Sequence, residues 1–522
     1  MGRALIRLEM TFALSYAEQY PEQIAIRDEQ KSLLWSEVDD ILNRTVNGLR
    51  DLDLGPEGRV AVFAENSVET ALANLGGLVA GASVVPVNFH LTADEVAYIL
   101  KDSGARVLFV SPETADRGVE AAAKSNLHSV IGWCDKEGVL EWSQWLVGNS
   151  AEQPDHSVPP RPNLLYTSGT TGRPKGTELP PTMFAGGATI EEHLALFRER
   201  TLARIPAGSE LGAQLVVGPM YHTGPLSATR QLIAGVPSVI LSRFDAEKTL
   251  ATIEQFKIES TLMVPTHFVR LLALPEDVRG KYDISSMKSI SHTGSKCPVD
   301  VKRAMIEWFG PVFLDAYGAS EVGTTCMITS DEWLAHPGSV GKAIPPFTAM
   351  IFDDDNNELP ANSEGRLYFK DATGRGVIYH NDPEKSAEAH IAPGIFTLGE
   401  IAYVDEEGYV YITDRFSDMV VSGGVNIYPA EAEAVLIEHP AVLDVACIGV
   451  PNADMGEELK GLVIPNPGED LPSADVMIAW CRERLSHYKC PKTLEYVDEL
   501  GRNTMGKINK RKLRAPYWQD RD

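Results

Sequence analysis

No run of this chain reaches the ~18 consecutive apolar residues that a membrane-crossing helix requires, so no membrane span is expected. Cysteine is scarce and scattered. The six (Cys134, Cys297, Cys326, Cys447, Cys481, Cys490) include no C-x-x-C pair, which fits neither a zinc site nor a disulfide framework and points to reduced thiols. Positive charge is also short. Lys and Arg number 47 against 73 Asp and Glu, a net charge of −26, the wrong sign for a nucleic-acid or anionic-membrane partner. The opening MGRALIRLEM has no continuous apolar segment of the secretory kind. Ile6 stands where an N-myristoylation signal beginning at Gly2 needs Ser or Thr. A cytoplasmic protein is the expectation.

What is present is ordinary globular composition, 44% hydrophobic and 23% charged over 522 residues, too long for one core. Apolar β-rich runs (59–65, 83–89, 106–110, 214–218, 260–265) alternate with amphipathic stretches (92–102, 246–257), the pattern of parallel sheets covered by helices. After about residue 345 the pattern shifts to short alternating strands, among them a run following a turn at Gly408. From 429 onward helix, strand, strand and helix make a compact α+β unit. Two domains are expected, 1–416 and 417–522. The glycines of GGLVAG (76–81) read as a helix packed closely on a neighbour. They lack the G-x-G-x-x-G spacing of a dinucleotide site.

The densest chemistry lies in LLYTSGTTGRPKG (164–176). Thr167, Ser168, Thr170 and Thr171 offer hydroxyls, while Gly169 and Gly172 let backbone N–H groups approach an anion. Lys175 adds a compact cation. A surface linker is the bland alternative, but a linker has no need of RPKG. The register is wrong for a Walker loop, which places Ser or Thr directly after the lysine. A second segment, DAYGASEVG (315–323), puts an aromatic and a carboxylate at the end of a strand, suited to a purine and to a cation near phosphates. Glu400 and Arg415 frame a third segment, as a carboxylate and a guanidinium that could clamp ribose hydroxyls. The fourth, NTMGKINKRKLR (503–514), reads alone as a basic tail.

Together and in this order, these motifs resemble the adenylate-forming superfamily of acyl-CoA ligases, luciferases and peptide-synthetase adenylation domains. The resemblance covers nearly the whole chain. It implies an α/β fold: a large N-terminal domain of parallel-type sheets with a distorted β-barrel-like subdomain, and a small mobile α+β C-terminal domain. It assigns nucleotide binding to Thr167, Ser168, Gly169, Thr170, Thr171, Gly172 and Lys175, to Asp315, Ala316, Tyr317, Gly318, Ala319 and Ser320, and to Glu400 and Arg415. Glu321 becomes the magnesium ligand and Lys507 the adenylation lysine. His222, Gly294 and Ser295 become acyl-pocket residues. Ser422, Gly423 and Gly424 would face the thiol, and Ser417 the domain hinge. Departures stand at Glu400 for the usual Asp, at Ser320 for Thr, at Pro180-Pro181 for Thr-His, and at Asn503.

The implied activity is that of an AMP-forming acyl-CoA ligase with ATP, Mg²⁺ and CoA. The acid attacks the α-phosphate, and CoA then displaces AMP after the C-terminal domain rotates. The partners are a small-molecule carboxylic acid and CoA; a homodimer is left open. Small residues near the pocket (Gly224, Thr293, Ala319, Gly323, Thr324) suit a wide hydrophobic acid, and two longer runs resemble a branch handling steroid- or terpenoid-type acids. Three rivals stay open here: loading of a carrier protein, an enzyme that mainly thioesterifies a supplied adenylate, and a non-catalytic binding protein with this fold.

Overall fold

The computed structural model describes residues 12–167, 174–203, 211–295, 297–415, 418–466, 471–501, 508 and 510–519. A five-stranded parallel sheet forms the first layer. Ser83–Val87 and Val107–Val110 flank Arg59–Phe63, and Ser129–Gly132 and Leu140–Glu141 follow. The helix Val68–Val79 that serves this sheet is buried along its whole length. Its paired glycines explain how. A Cβ on Gly76 would collide with the Thr45 methyl, and one on Gly77 would sit 2.7 Å from Val84, so only glycine lets the helix lie this close.

A fifteen-stranded sheet carries most of the remaining site. Its parallel part runs through Ser238–Ile240, Gln214–Val216, Ser260–Met263, Ser289–His292 and Phe313–Ala319. At Phe313–Ala319 the pairing turns antiparallel, continuing through Gly323–Thr329, Gly341–Ala343, Tyr409–Arg415, Glu400–Val404 and Gly365–Asp371. The expected turn at Gly408 has φ +87° and opens the strand Tyr409–Arg415. A short hairpin, Leu164–Thr167 with Lys175–Glu178, sets Thr167 opposite Lys175, so both stems of the hydroxyl-rich loop start from one point.

Beyond residue 418 a separate five-stranded sheet forms. Gly456–Pro465 pairs with Val442–Asn452, Val420–Ser422 and Thr493–Tyr496, and the helices Pro429–Leu436, Ala474–Arg482 and Lys510–Trp518 pack with it. This C-terminal unit meets the rest of the chain at several places. Gly424 lies on Val264 and Gly294, Asp454 pairs with Arg270 at 2.9 Å, and Lys489 reaches Glu95 at 2.7 Å. Among the described residues, no helix is long and apolar enough to cross a membrane. All six cysteines are free.

Candidate active site

A single cavity of about 1860 Å³ collects residues that are hundreds of positions apart. The segment Asp315 to Glu321, Thr167, His222, Gly294, Ser295, Glu400, Gly423 and Gly424 all line it. Ser422 is buried in its strand behind the turn, and Lys175 turns aside. Ser168, Gly169, Thr170, Thr171, Gly172, Ser417 and Lys507 lie outside the described residues. Of Arg415 the backbone is described, and it pairs with Glu400 in register.

Glu321 sits at the tip where Phe313–Ala319 turns back. It is 7% exposed, and the hydroxyls of Thr167 and Tyr379 approach its Oε1 at 3.4 Å each. Those are long contacts. Burial pushes its carboxyl above the ordinary range, and among the described residues no cation acts on that carboxyl. A divalent ion would supply the missing counter-charge. No cluster of three or more His, Cys, Asp or Glu able to hold a metal occurs among the described residues, so an ion here needs oxygens from elsewhere. One carboxylate plus phosphate oxygens is how Mg²⁺ is commonly held. The site fits it.

Lys175 donates to Asp382 at 2.9 Å, and that hydrogen bond is the main cause holding the Asp382 carboxyl down. The partner was not visible in the motif, because Asp382 caps a helix 207 residues further on. Tyr317 donates its hydroxyl to Glu400 at 2.8 Å, which joins the second and third sequence motifs. Asp315 has a different setting. Lys302, fully buried, and His292 both bind its Oδ1, the histidine at 2.5 Å. Burial alone would raise the Asp315 carboxyl, but the two partners outweigh it and hold it low.

The acyl-side residues are apolar in setting. His222 precedes the helix Thr223–Thr229 at its N-terminal boundary, making no side-chain capping hydrogen bond, and its ring lies 4.4 Å from that of Tyr221. Its Nε2 is buried with no hydrogen-bond partner among the described residues, and burial pushes the imidazole down to about 4, so it is neutral at physiological pH. Thr223 and Ser320 hydroxyls meet at 3.1 Å and tie this helix to the Asp315–Glu321 turn. Gly224 is small for a local reason: a Cβ there would stand 2.9 Å from Leu262. Its size reports packing rather than pocket width. Gly294 has φ +95°, and its missing Cβ would lie 3.3 Å from Val264 and 3.8 Å from Gly424.

The sequence profile of the AMP-binding enzyme family matches residues 15–377, and that of the AMP-binding enzyme C-terminal domain matches 431–507. The chain belongs to the AMP-binding enzyme family. It is 32% identical to the feruloyl-CoA synthase of an Amycolatopsis species over 513 residues, covering 96% of this chain and 97% of that one. It is 31% identical over 521 residues to the 3-[(3aS,4S,7aS)-7a-methyl-1,5-dioxo-octahydro-1H-inden-4-yl]propanoyl:CoA ligase of Rhodococcus jostii, covering 95% and 96%. In fold it matches o-succinylbenzoate CoA synthetase (MenE) of Bacillus subtilis at 24% identity over 97% of this chain and 98% of that one. The TM-score is 0.79 against a double mutant with a product analogue and 0.63 against the complex with the acyl-adenylate. By class this AMP-binding family enzyme is an AMP-forming acid–thiol ligase. Acyl-CoA ligases of the family use ATP, Mg²⁺ and CoA.

Proposed function

We propose that the protein activates a hydrophobic, ring-bearing carboxylic acid, up to the size of a fused-ring acid, as its acyl-adenylate and passes the acyl group to CoA. The observation that carries this reading is the convergence of Thr167, Tyr317, Glu321, Glu400, Gly294 and Gly424 on one cavity. A carboxylate resists nucleophiles because it is already negative and oxide leaves poorly. Attack of its oxygen on the α-phosphate of ATP expels pyrophosphate and leaves AMP as a good leaving group. A thiolate then adds to the acyl carbon and AMP departs.

The first step is positioning and charge neutralisation. Mg²⁺, when bound, would offset phosphate charge. Glu321 is the protein group placed to hold it, with the Thr167 hydroxyl beside it. The loop 168–173 with Lys175 would cradle the phosphates, and Lys175 must exchange Asp382 for them. The Tyr317 ring offers a face for the purine. Its hydroxyl aligns Glu400, which with Arg415 would take the ribose hydroxyls. Asp315, paired with the Lys302 ammonium and in contact with the His292 ring, would approach the base as a hydrogen-bond acceptor. Lys507 is assigned to the developing charge on the bridging oxygen.

Gly294, Ser295 and neutral His222 would bound the acyl group. The turn Ser422–Gly424 rests on the Gly294 side of the cavity, where a thiol arm would enter, with Ser417 as the pivot between steps. The better superposition on the product-analogue complex of MenE supports placing this arrangement on the thiol side of the cycle. The acid class rests on the aryl and fused-ring acids in the names of the similar ligases. Incubation with ATP, Mg²⁺, CoA and a panel of straight-chain, aryl and fused-ring acids, read by mass spectrometry, tests the reading. Acyl-CoA and AMP should form best with ring-bearing acids. A preference for straight-chain acids would overturn the substrate class, and neither acyl-AMP nor acyl-CoA from any acid would overturn the reaction.

A further inference from the structure

Lys489 has no part in the chemistry above, yet it is among the most deeply buried side chains of the molecule, 1% exposed. It sits in the short turn His487–Lys489 of the C-terminal unit. Its ammonium lies between two carboxylates, 2.7 Å from Glu95 Oε1 and 2.6 Å from Glu431 Oε2. Glu95 belongs to the other unit. It occupies the first turn of Ala93–Ser103, where its Oε2 accepts from the Thr92 backbone N–H at 2.8 Å in a capping box. Ser486 donates its hydroxyl to the same Oε2 at 2.6 Å. Neighbouring donors of the C-terminal unit thus close on one carboxylate nearly 400 positions earlier.

An ionic cluster of this depth is a poor way to gain stability, since aliphatic side chains would fill the space without desolvating charges. Its composition fits a contact that must open. Lys489 and Glu431 lie in the same unit and travel together, so they stay paired wherever that unit goes. Glu95 stays behind, still engaged by its own helix cap. Parting leaves no lone charge buried. Burial raises the Glu431 carboxyl, and its second oxygen has no hydrogen-bond partner among the described residues. At Glu95 the charge of Lys489 and the surrounding hydrogen bonds more than offset burial and hold the carboxyl low. The stronger acid is therefore the one contributed across the boundary. A second ion pair between the units, Arg270 with Asp454, is solvent-exposed, and exposed pairs contribute little.

The cluster also borders the cavity, which Tyr488 and Lys489 line beside His90. The Tyr488 ring lies 6.2 Å from that of His90. We propose that Lys489 is a positioning residue for thioester formation: gripping Glu95 while paired with Glu431, it latches the C-terminal unit in the arrangement that sets Gly423 and Gly424 against the Gly294 wall. The inference rests on the two-step reading of the site given above.

Glu95→Gln is the informative change. Glutamine serves equally at this capping position, so the helix start survives, and the Lys489–Glu431 pair is untouched. What goes is the charge across the boundary. With acid and ATP alone, adenylation measured as pyrophosphate exchange should be unchanged. Single-turnover transfer from preformed acyl-adenylate to CoA should slow about tenfold or more, the equivalent of one charge-assisted bond. Lys489→Arg should retain more transfer than Lys489→Met. Hydrogen exchange of the nucleotide-free protein should quicken in Glu95→Gln at residues 420–427 and 486–490, and this readout needs no activity. Equal losses in both half-reactions, or transfer and exchange at wild-type rates, would overturn the latch. If wild type makes neither acyl-AMP nor acyl-CoA, the two-step reading fails on its own, and hydrogen exchange alone decides whether the contact holds the units together.

Discussion

At the residue scale Glu321 is a buried carboxylate with hydroxyls at 3.4 Å and, among the described residues, no cation acting on it. Glu321→Gln keeps the shape and the hydrogen-bonding oxygen but removes the charge. Adenylation should fall by ~10²–10³-fold, the usual cost of losing one preorganised charge-stabilising group, and the residual activity should need more Mg²⁺. Thioester formation from supplied acyl-adenylate should be spared. Adenylation at the wild-type rate and Mg²⁺ dependence would remove Glu321 from its assigned place. Glu321 and Tyr317 were readable in the sequence because each stands in a short local motif. Their partners were not. Lys302 sits in an amphipathic helix, Val299–Phe309, where a lysine reads as solvated, yet it is fully buried under Asp315. Tyr379 and Asp382 reach Glu321 and Lys175 only through sheet pairing and loop return, which no local window contains.

Among elements, the hairpin Val420–Ile427 is the most demanding. Its turn glycines have φ +60° and +81°, and a Cβ on Gly424 would meet Val264 at 3.0 Å. Gly424→Ala therefore adds backbone strain of roughly 1–2 kcal/mol and pushes the turn off the cavity wall. Transfer to CoA should slow more than adenylation; an unchanged ratio of the two half-reactions would show that the turn does not approach the acceptor. The strand and helix cores between residues 59 and 263 follow the sequence pattern closely, because period-2 and period-3.6 hydrophobicity report which faces are buried. Element ends were less legible. Val442–Asn452 and Gly456–Pro465 extend well past their apolar cores, since each continues as long as its neighbour offers a ladder partner.

At the scale of the whole molecule, the order of the motifs announced a two-part enzyme, and the family match covers both parts. Which surfaces of the parts meet was beyond the sequence: Glu95 with Lys489 and Gly294 with Gly424 are long-range contacts fixed by tertiary geometry. The expected pivot, Ser417, and the expected adenylation lysine, Lys507, lie outside the described residues. The claim on which everything else depends is that this cavity makes the adenylate itself and does not merely consume one. Acid-dependent exchange of labelled pyrophosphate into ATP, with Mg²⁺ and without CoA, measures that step alone. Exchange should appear only when a ring-bearing acid is added and should vanish in Lys507→Ala. No exchange with any acid, in a preparation that still converts supplied acyl-adenylate and CoA to thioester, would contradict it and identify an enzyme of the second half-reaction only.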